Sequence, residues 1–95
     1  MRSFAPASIA AAVAACVIVL APAAQALARQ NNCFRCHSVE KAKDGPAWKD
    51  VAAKYKGKAD AQAMLVANLK AGKGHPAVKT SDADTATLVK WVLAM

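Results

Sequence analysis

The feature that most constrains the fold is a shortage of large apolar side chains after residue 26. Residues 27–95 contain 33 apolar residues, but 14 of these are alanine, which buries little surface. Chains of about 70 residues rarely build a sufficient core from side chains alone, and they usually depend on a disulfide, a metal or another covalent staple. The sequence therefore predicts that something other than side chains fills the interior.

The N-terminal segment has the pattern of a secretory signal peptide. Residues 1–26 hold 20 apolar residues and no acidic one, with one positive charge at Arg2. The apolar block from Ile9 to Ala21 is shorter than the roughly 18 residues of a membrane-spanning helix. Small residues at Ala24 and Ala26 mark a cleavage site. We therefore predict a signal peptide at 1–26 and export of the remaining chain to the periplasm.

Two alternatives at this end remain open. Cleavage after Ala28 is a second possibility, because Ala26 and Ala28 are also small residues two positions apart. Retention of the block as an uncleaved anchor is the other, which its short length disfavours. Cys16 lies inside the block, whereas a lipid-attachment cysteine follows such a block, so it is assigned no role.

Removal of residues 1–26 leaves one small domain, residues 27–95, with 12 basic and 6 acidic residues and a formal charge of +6. Its size excludes multi-domain enzymes with a separate substrate domain. Nucleic acid is one partner that such a charge suits, but export argues against it. An acidic protein partner or a bound anionic cofactor fits an exported basic domain better.

Helical sequence patterns dominate this domain, and there are few signs of the alternation of apolar and polar residues that is typical of β-strands. Asp60 and Gly72 bound the clearest helix as its start and C-cap. Ser81 begins a capping-box pattern before the last helix, with Asp84 in the place of the usual Glu or Gln. The fold class predicted is all-α, with about four short helices. Their ranges are Leu27 to about Val39, Ala47 to about Tyr55, Asp60 to Ala71, and Ser81 towards Met95.

Two apolar stripes belong to the last two of these helices. The helix after Asp60 carries a stripe at four-residue spacing, and the last helix carries a broader apolar face. Stripes of this kind are most often core. The residues concerned are Ala61, Leu65 and Leu69 on the first, and Leu88, Trp91, Val92 and Met95 on the second.

The run from Cys33 to His37 reads C-x-x-C-H, which is the attachment motif of c-type haem. Two thiols at this spacing add across the two haem vinyl groups, and the next residue, His37, then supplies the proximal imidazole to the iron. Export suits this chemistry, because c-type haem is attached outside the cytoplasm. A covalently bound haem is also a large apolar disc that replaces the missing side-chain core.

The motif has three alternative functions: a structural disulfide, a redox-active dithiol and a zinc site. A disulfide between Cys33 and Cys36 would close a very small loop and stabilise little. A thioredoxin-like dithiol requires a βαβ context, for which there is no pattern. A zinc site would need both cysteines and two histidines, and His37 is too close to Cys36 for the usual finger spacing. The haem motif is therefore favoured over all three.

With these residues in view, the chain from residue 27 onwards resembles the small bacterial class I cytochromes c, which are short periplasmic electron carriers. The resemblance rests on the haem motif and on two longer stretches near it. One is the Gly-Pro-Ala-aromatic helix that begins at Gly45 and reads GPAWKDVAAKY, and the other is the C-terminal helix with Ser81-Asp82 and LVKWVL from Leu88.

The resemblance implies a class I cytochrome c fold and several site residues. The carbonyl of Pro46 is expected to accept a hydrogen bond from His37 and so to fix the ring. Haem c would be bound through Cys33 and Cys36. The side chains expected to wall the haem or the helix contacts around it are Trp48, Leu65, Leu69 and Trp91, with plain core as the alternative for each.

One departure from the family concerns the second axial ligand of the iron. The family usually supplies a methionine from a longer loop before the last helix, in a Pro-Met-Pro-Pro stretch that is missing here. Counting back from Ser81, the methionine position falls on His75, followed by Pro76. We therefore expect His37 and His75 to be the iron ligands. Met64, Met95 and an open sixth position remain alternatives.

The function predicted is one-electron transfer by a monohaem cytochrome c, without enzymatic activity. Two histidine ligands predict a lower potential than His/Met ligation, because a thioether favours ferrous iron. Alternatives are a gas-binding or sensor haem module and the cytochrome subunit of an exported oxidoreductase. Redox proteins are expected to dock on lysines around the haem edge. The candidates are Lys41, Lys43, Lys49, Lys54, Lys56, Lys58, Lys70, Lys73 and Lys79.

Overall fold

The computed structural model describes residues 21–95. Most of the segment predicted as a signal peptide, including Cys16, lies outside these residues. Within them the fold is all-α, as predicted from the sequence, with an additional short 3-10 turn at Cys33–Arg35. No helix in the described part of the chain is long and apolar enough to cross a membrane.

The first helix, α1, is helical over residues 21–30 in the part that the structure describes. Its end is closed by Asn31, whose backbone N–H and side-chain amide both donate to the Leu27 carbonyl, at 3.0 and 2.9 Å. The predicted first helix, Leu27 to about Val39, was therefore wrong in both bounds. The cysteines lie after the helix, because Asn32 adopts a left-handed conformation (φ 59°) that ends it.

Two helices follow the cysteine turn, close to the predicted bounds. Helix α2 spans Trp48–Tyr55, and helix α3 spans Ala61–Ala71. Gly72 ends α3 in the left-handed conformation (φ 72°), as expected of a C-cap glycine. Asp60 is the N-cap residue of α3, which confirms the predicted start, although its side chain accepts no capping hydrogen bond.

The last helix, α4, spans Asp82–Leu93 and packs against both α2 and α3. The Ser81 hydroxyl accepts the Asp84 N–H at 3.1 Å, which confirms the predicted cap. The capping box is only half formed, because the Asp84 carboxylate accepts from the Thr80 hydroxyl at 3.3 Å. Serine capping thus starts α4 directly after the loop that carries His75.

The core lies where α1, α2 and α4 meet, and it is small. Its buried centre is Ala28, Trp48 and Leu88. Trp91, Val92 and Met95 of the predicted apolar face pack against this centre, and so does Cys33. The large side chains of the core therefore gather beside the cysteine turn, which leaves the α3 side of the fold more open. That arrangement agrees with the shortage of side-chain core noted in the sequence.

Candidate functional site

A tight turn presents Cys33, Cys36 and His37. The carbonyl of Cys33 accepts the backbone N–H groups of both Cys36 (3.2 Å) and His37 (3.0 Å). Two donors on one carbonyl draw the five-residue motif into a single turn. As a result, both thiols and the imidazole belong to one compact unit, which is the arrangement that attachment to a single planar group requires.

Both motif cysteines are free thiols with half-buried side chains. Cys33 packs against the core centre, and burial raises the pKa of its thiol above the usual value. The cause is desolvation, which penalises the thiolate. A half-buried cysteine that faces apolar neighbours suits a thioether bond to an apolar ring better than it suits a reactive surface thiol.

The His37 ring is oriented by a backbone carbonyl. Its Nδ1 lies 2.7 Å from the Pro46 oxygen, which is the contact expected from the resemblance. Because a carbonyl only accepts, Nδ1 carries the proton and donates, which leaves Nε2 with its lone pair for a metal. The Gly45 N–H donates to the Cys36 carbonyl at 2.7 Å and ties the Pro46 loop to the cysteine turn.

Gly45 leaves the space that the His37 ring occupies. A Cβ at this position would lie 2.4 Å from His37 Cε1 and 2.9 Å from both ring nitrogens. Every other residue type would therefore collide with the ring. Sequence reasoning used Gly45 as the first residue of the Gly-Pro-Ala-aromatic stretch and missed this role. The signal was present in its position, nine residues after Cys36, but only the folded loop shows what the glycine faces.

Trp48 is the aromatic centre of this side of the site. It is 6% exposed, and its ring centre lies 5.3 Å from that of His37, with an angle of 19° between the planes. Phe34 and Trp91 meet it edge to face, with ring centres at 5.2 and 5.3 Å. Offset and edge-to-face pairs at these distances are favourable. Trp48 therefore packs against the histidine that the motif supplies, and Trp91 packs against Trp48.

The loop from 72 to 80 brings His75 opposite His37. The two ring centres are 6.0 Å apart and the ring planes differ by only 8°. Gly72 and Gly74 both have positive φ, 72° and 69°, so the loop reverses direction twice before Pro76. The fold therefore brings together two histidines that are 38 positions apart in the sequence.

The His75 ring is held in the same way as the His37 ring. Its Nδ1 lies 2.7 Å from the carbonyl oxygen of Pro76. As with His37, this contact assigns the proton to Nδ1 and leaves Nε2 available. Two backbone hydrogen bonds fasten the loop to α3, from Lys73 to Asn68 and from Val78 to Leu69, both 2.9 Å.

The remaining candidates lie at different distances from this pair. Leu65 and Leu69 are half-buried on α3, the helix from which the His75 loop departs. Met64 is 39% exposed on the same helix. Met95 packs against the core centre. Of the three candidates for the second ligand, His75 is the one whose side chain the structure places beside His37, with the ring centres 6.0 Å apart.

The described residues contain no group of three or more His, Cys, Asp and Glu side chains arranged to hold a metal ion. A bare zinc ion held by the motif is therefore unsupported in residues 21–95. Two histidines with their Nε2 atoms available supply two ligands only. A metal between them would take its other ligands from something that is not a side chain, and a porphyrin has that property.

Two lysines lie beside the motif, and several of the other candidate lysines have partners elsewhere. Lys41 and Lys43 line a shallow groove with His37, Phe34 and Val39. The Lys43 ammonium donates to the Phe34 carbonyl at 2.9 Å. Elsewhere, Lys49 pairs with Glu40 at 2.8 Å, Lys70 donates to the Thr80 carbonyl and pairs with Asp82, and Lys54 and Lys58 lie over the Tyr55 ring.

Comparison with known proteins agrees with this site. The sequence model of the cytochrome c family matches residues 21–95. Cytochrome c-552 of Nitrosomonas europaea is 42% identical over 93 residues, covering 86% of this chain and 90% of that protein. Cytochrome c-551 of Allochromatium vinosum is 45% identical over 89 residues, covering 82% and 95%.

Solved structures give the same result for the fold. The class 1 cytochrome MtoD of Sideroxydans lithotrophicus ES-1 is similar with a TM-score of 0.68 and 42% identity, over 77% of this chain and 92% of that one. Wild-type cytochrome c552 of Nitrosomonas europaea follows with a TM-score of 0.64 and 41% identity, over 73% and 95%. Both structures therefore share the fold of this chain and about two fifths of its residues over the matched length.

Proposed function

The chain belongs to the cytochrome c family, with haem c attached through Cys33 and Cys36, and we propose that it is an exported one-electron carrier whose haem iron is held between His37 and His75. The observation that carries this proposal is the distance of 6.0 Å between the two imidazole centres. Membership of the family alone leaves the second ligand open, whereas that distance favours one residue.

The distance fits a metal ion between the rings. Metal bonds to imidazole nitrogen are about 2.0–2.1 Å long and a ring nitrogen lies about 1.1 Å from the ring centre, so one ion between two rings separates their centres by roughly 6.2–6.4 Å. The observed 6.0 Å is close to this value. The spacing of the two ring centres therefore leaves room for one metal ion between the histidines.

The hydrogen bonds of the two rings support the same assignment. Each histidine donates from Nδ1 to the carbonyl of a proline, Pro46 for His37 and Pro76 for His75, at 2.7 Å. This kind of contact fixes the tautomer and orientation of a metal-bound histidine and raises its basicity. Both rings are therefore prepared to bind through Nε2 without a change of tautomer.

The bound haem supplies a reversible one-electron change at its iron. With His37 and His75 as its ligands, the iron would have no open position for a substrate, and the protein would carry electrons without catalysing a reaction. Trp48, which is buried, packs against the His37 ring and helps to fix its orientation. Two imidazole ligands favour ferric iron relative to His/Met ligation, so the potential lies below that of relatives with a methionine ligand.

Absorption and EPR spectra of the holoprotein test the ligand pair. We expect a low-spin spectrum in both redox states, no weak far-red band in the oxidised form, and no change when carbon monoxide meets the reduced form. The 8° angle between the ring planes predicts a rhombic low-spin EPR signal. Met64→Leu is the matched control, and it should leave every spectrum unchanged.

Two results would contradict the assignment. A far-red band that Met64→Leu or Met95→Leu removes would return the ligand to a methionine. A high-spin spectrum that shifts with carbon monoxide would mean an open site and would favour a gas-binding module. A His75→Met variant serves as the positive control, since it should acquire the far-red band and a higher potential.

The location and the docking surface complete the proposal. The charge and apolar pattern of the N-terminal segment support export to the periplasm, where haem c is attached. Lys41 and Lys43 share a groove with His37, so they are the lysines best placed to attract an anionic redox partner to this side of the haem. Lys54 lies instead over the Tyr55 ring on α2.

Electron transfer to ferricyanide, a small anionic oxidant, tests the docking surface. Lys41→Gln should slow the second-order oxidation of the reduced protein severalfold at low ionic strength, and salt should abolish the difference. Lys54→Gln is the matched control, because it also removes one positive charge but at a site outside the groove. It should slow the oxidation less than Lys41→Gln does. Equal effects of the two variants would mean that only net charge matters.

A further inference from the structure

Helix α1 contains two fully buried alanines. Their burial indicates which residues of the N-terminal segment belong to the folded domain. Ala24 and Ala28 both have no exposed surface. They are four residues apart, so they lie on the same face of the helix. Ala28 forms the core centre with Trp48 and Leu88, and Leu27 packs against that centre. Helix α1 is therefore part of the domain from Ala24 onwards.

Exposure changes abruptly at one point along this helix. Residues 21–23 are all exposed, and Ala24 is the first buried residue after them. The exposed stretch itself reads Ala-Pro-Ala, which places small residues at the two positions that a signal peptidase requires. A third candidate cleavage site thus lies directly before the first buried position, beside the sites after Ala26 and Ala28.

The three sites differ in what each removes from the fold. Cleavage after Ala28 removes both Leu27 and Ala28 and so opens the core centre. Cleavage after Ala26 removes the buried Ala24 and leaves residues 27–30, about one turn, as the whole of α1. That turn would keep only one of the two fully buried alanines of the helix. Cleavage after Ala23 keeps both buried alanines.

We propose that the mature protein begins at Ala24, through cleavage after Ala23, and that the boundary predicted from sequence at Ala26 lies inside the folded domain. The inference rests on the proposed export of the chain. It assigns 72 residues, 24–95, to the mature domain. It also keeps in the mature domain both positions of α1 that have no exposed surface, Ala24 and Ala28.

The N-terminus of the exported holoprotein tests this directly. The full chain is produced in a bacterium that attaches haem c, and the haem-bearing protein is analysed by intact mass and N-terminal sequencing. We expect Ala-Gln-Ala-Leu as the first four residues. A terminus at Leu27, at Arg29 or at Met1 on haem-bearing protein would overturn the inference.

Two matched substitutions sharpen the test. Ala23→Leu places a bulky side chain at the proposed cleavage position, which is exposed, and should largely abolish the Ala24 terminus. Ala26→Leu places the same side chain at the rival position and should leave the Ala24 terminus unchanged. The reverse pattern, with Ala26→Leu alone blocking processing, would overturn the inference.

Failure of this inference is distinguishable from failure of the proposed function. A haem-bearing protein with another N-terminus contradicts the cleavage position only, since export and haem attachment have then occurred. A chain that retains Met1, stays in the cytoplasm and carries no haem contradicts export, and the cleavage position falls with it.

Discussion

The two histidines are held by regions of very different construction. His37 belongs to a turn whose backbone bonds, Pro46 carbonyl and Trp48 neighbour surround it on several sides. His75 belongs to a loop between two helices, with glycines at 72 and 74 and two backbone bonds to α3. The orientation of the His37 ring is therefore fixed by packing, whereas the position of the His75 ring depends mainly on the path of its loop.

This difference separates two tasks of a haem site. The His37 side holds the cysteines that attach the haem, and the large side chains of the small core pack beside it. We therefore expect substitutions on this side to be poorly tolerated. In the proposed function the His75 side would supply the sixth ligand and so influence the potential, and a loop of this kind would accommodate a different ligand at modest cost to the fold. The comparison therefore predicts large structural effects on one side and mainly electronic effects on the other.

The largest contrast is expected between His37→Ala and His75→Ala. Loss of His37 removes the ligand that the attachment turn presents, and we expect little or no folded holoprotein. Loss of His75 should leave a folded haem protein with an open or water-filled sixth position. Holoprotein yield and the spin state of the haem check the two outcomes. Equal yields of six-coordinate protein would contradict the comparison.

Gly45→Ala should be the next largest effect. The added Cβ would collide with the His37 ring at 2.4 Å, so the ring or the loop must shift, at a cost of about 1–3 kcal/mol. Gly57→Ala is the matched control, because nothing lies within 4 Å of its Cβ position and only its positive φ resists the substitution. Thermal unfolding of both holoproteins tests the order.

If Gly45→Ala proves no more destabilising than Gly57→Ala, the close approach of His37 to Gly45 is not a constraint. The visible spectrum is a second measurement for the same pair. Gly45→Ala should perturb the haem bands by moving His37, whereas Gly57→Ala should leave them unchanged.

Ser81→Ala acts on the other region, where the His75 loop meets α4. The hydroxyl caps the helix through the Asp84 N–H, so its loss should cost about 1 kcal/mol of unfolding free energy. Thr87→Ala is a matched hydroxyl deletion, within α4, at a bond to the Ala83 carbonyl that contributes less. Denaturant unfolding should rank Ser81→Ala as the more destabilising of the two; the opposite ranking would argue against the cap.

The smallest effect concerns the exposed pair of Glu40 and Lys49, on the His37 side. The Lys49 ammonium donates to the Glu40 carboxylate at 2.8 Å and lowers the pKa of that carboxyl below its usual value. The stabilisation is present above the ordinary pKa of a glutamate and is lost as pH falls through the lowered one. It is slight, because the pair is exposed to solvent.

Lys49→Gln should return the Glu40 pKa towards its usual value, as NMR titration of the carboxyl would measure, with almost no change in melting temperature. Lys54→Gln is the control with the charge removed one helical turn further along α2. If the Glu40 pKa changes equally in both variants, it is lowered by the overall positive charge of the protein and not by the ion pair with Lys49.

The sequence predicted the His37 region better than the His75 region. The motif and the bounds of α2 follow from local patterns, whereas the Pro46 contact was implied by the resemblance to the class I cytochromes c; the structure shows that contact at 2.7 Å. Gly45 escaped prediction because its role is a steric exclusion between residues eight apart. The assignment of His75 as ligand came from a count along the chain, and it stays a proposal that the facing rings support.

The helices show where local patterns fail. Gly72 and Ser81 are correct as cap and start, because caps depend on a few adjacent residues. The first helix is wrong because Asn32 breaks it by adopting a left-handed conformation, and because alanines at 24 and 28 join the core. An alanine-rich stretch gives the same pattern whether it belongs to a signal or to a helix.

The sequence by itself determined the chemistry of this protein. Two thiols and an imidazole within five residues specify covalent haem, and a chain poor in large apolar residues requires it. Only the tertiary structure shows that the His75 ring lies beside His37 and that Ala24 and Ala28 are buried. Both depend on contacts between segments distant along the chain, and only folding brings such segments within 6.0 Å of each other.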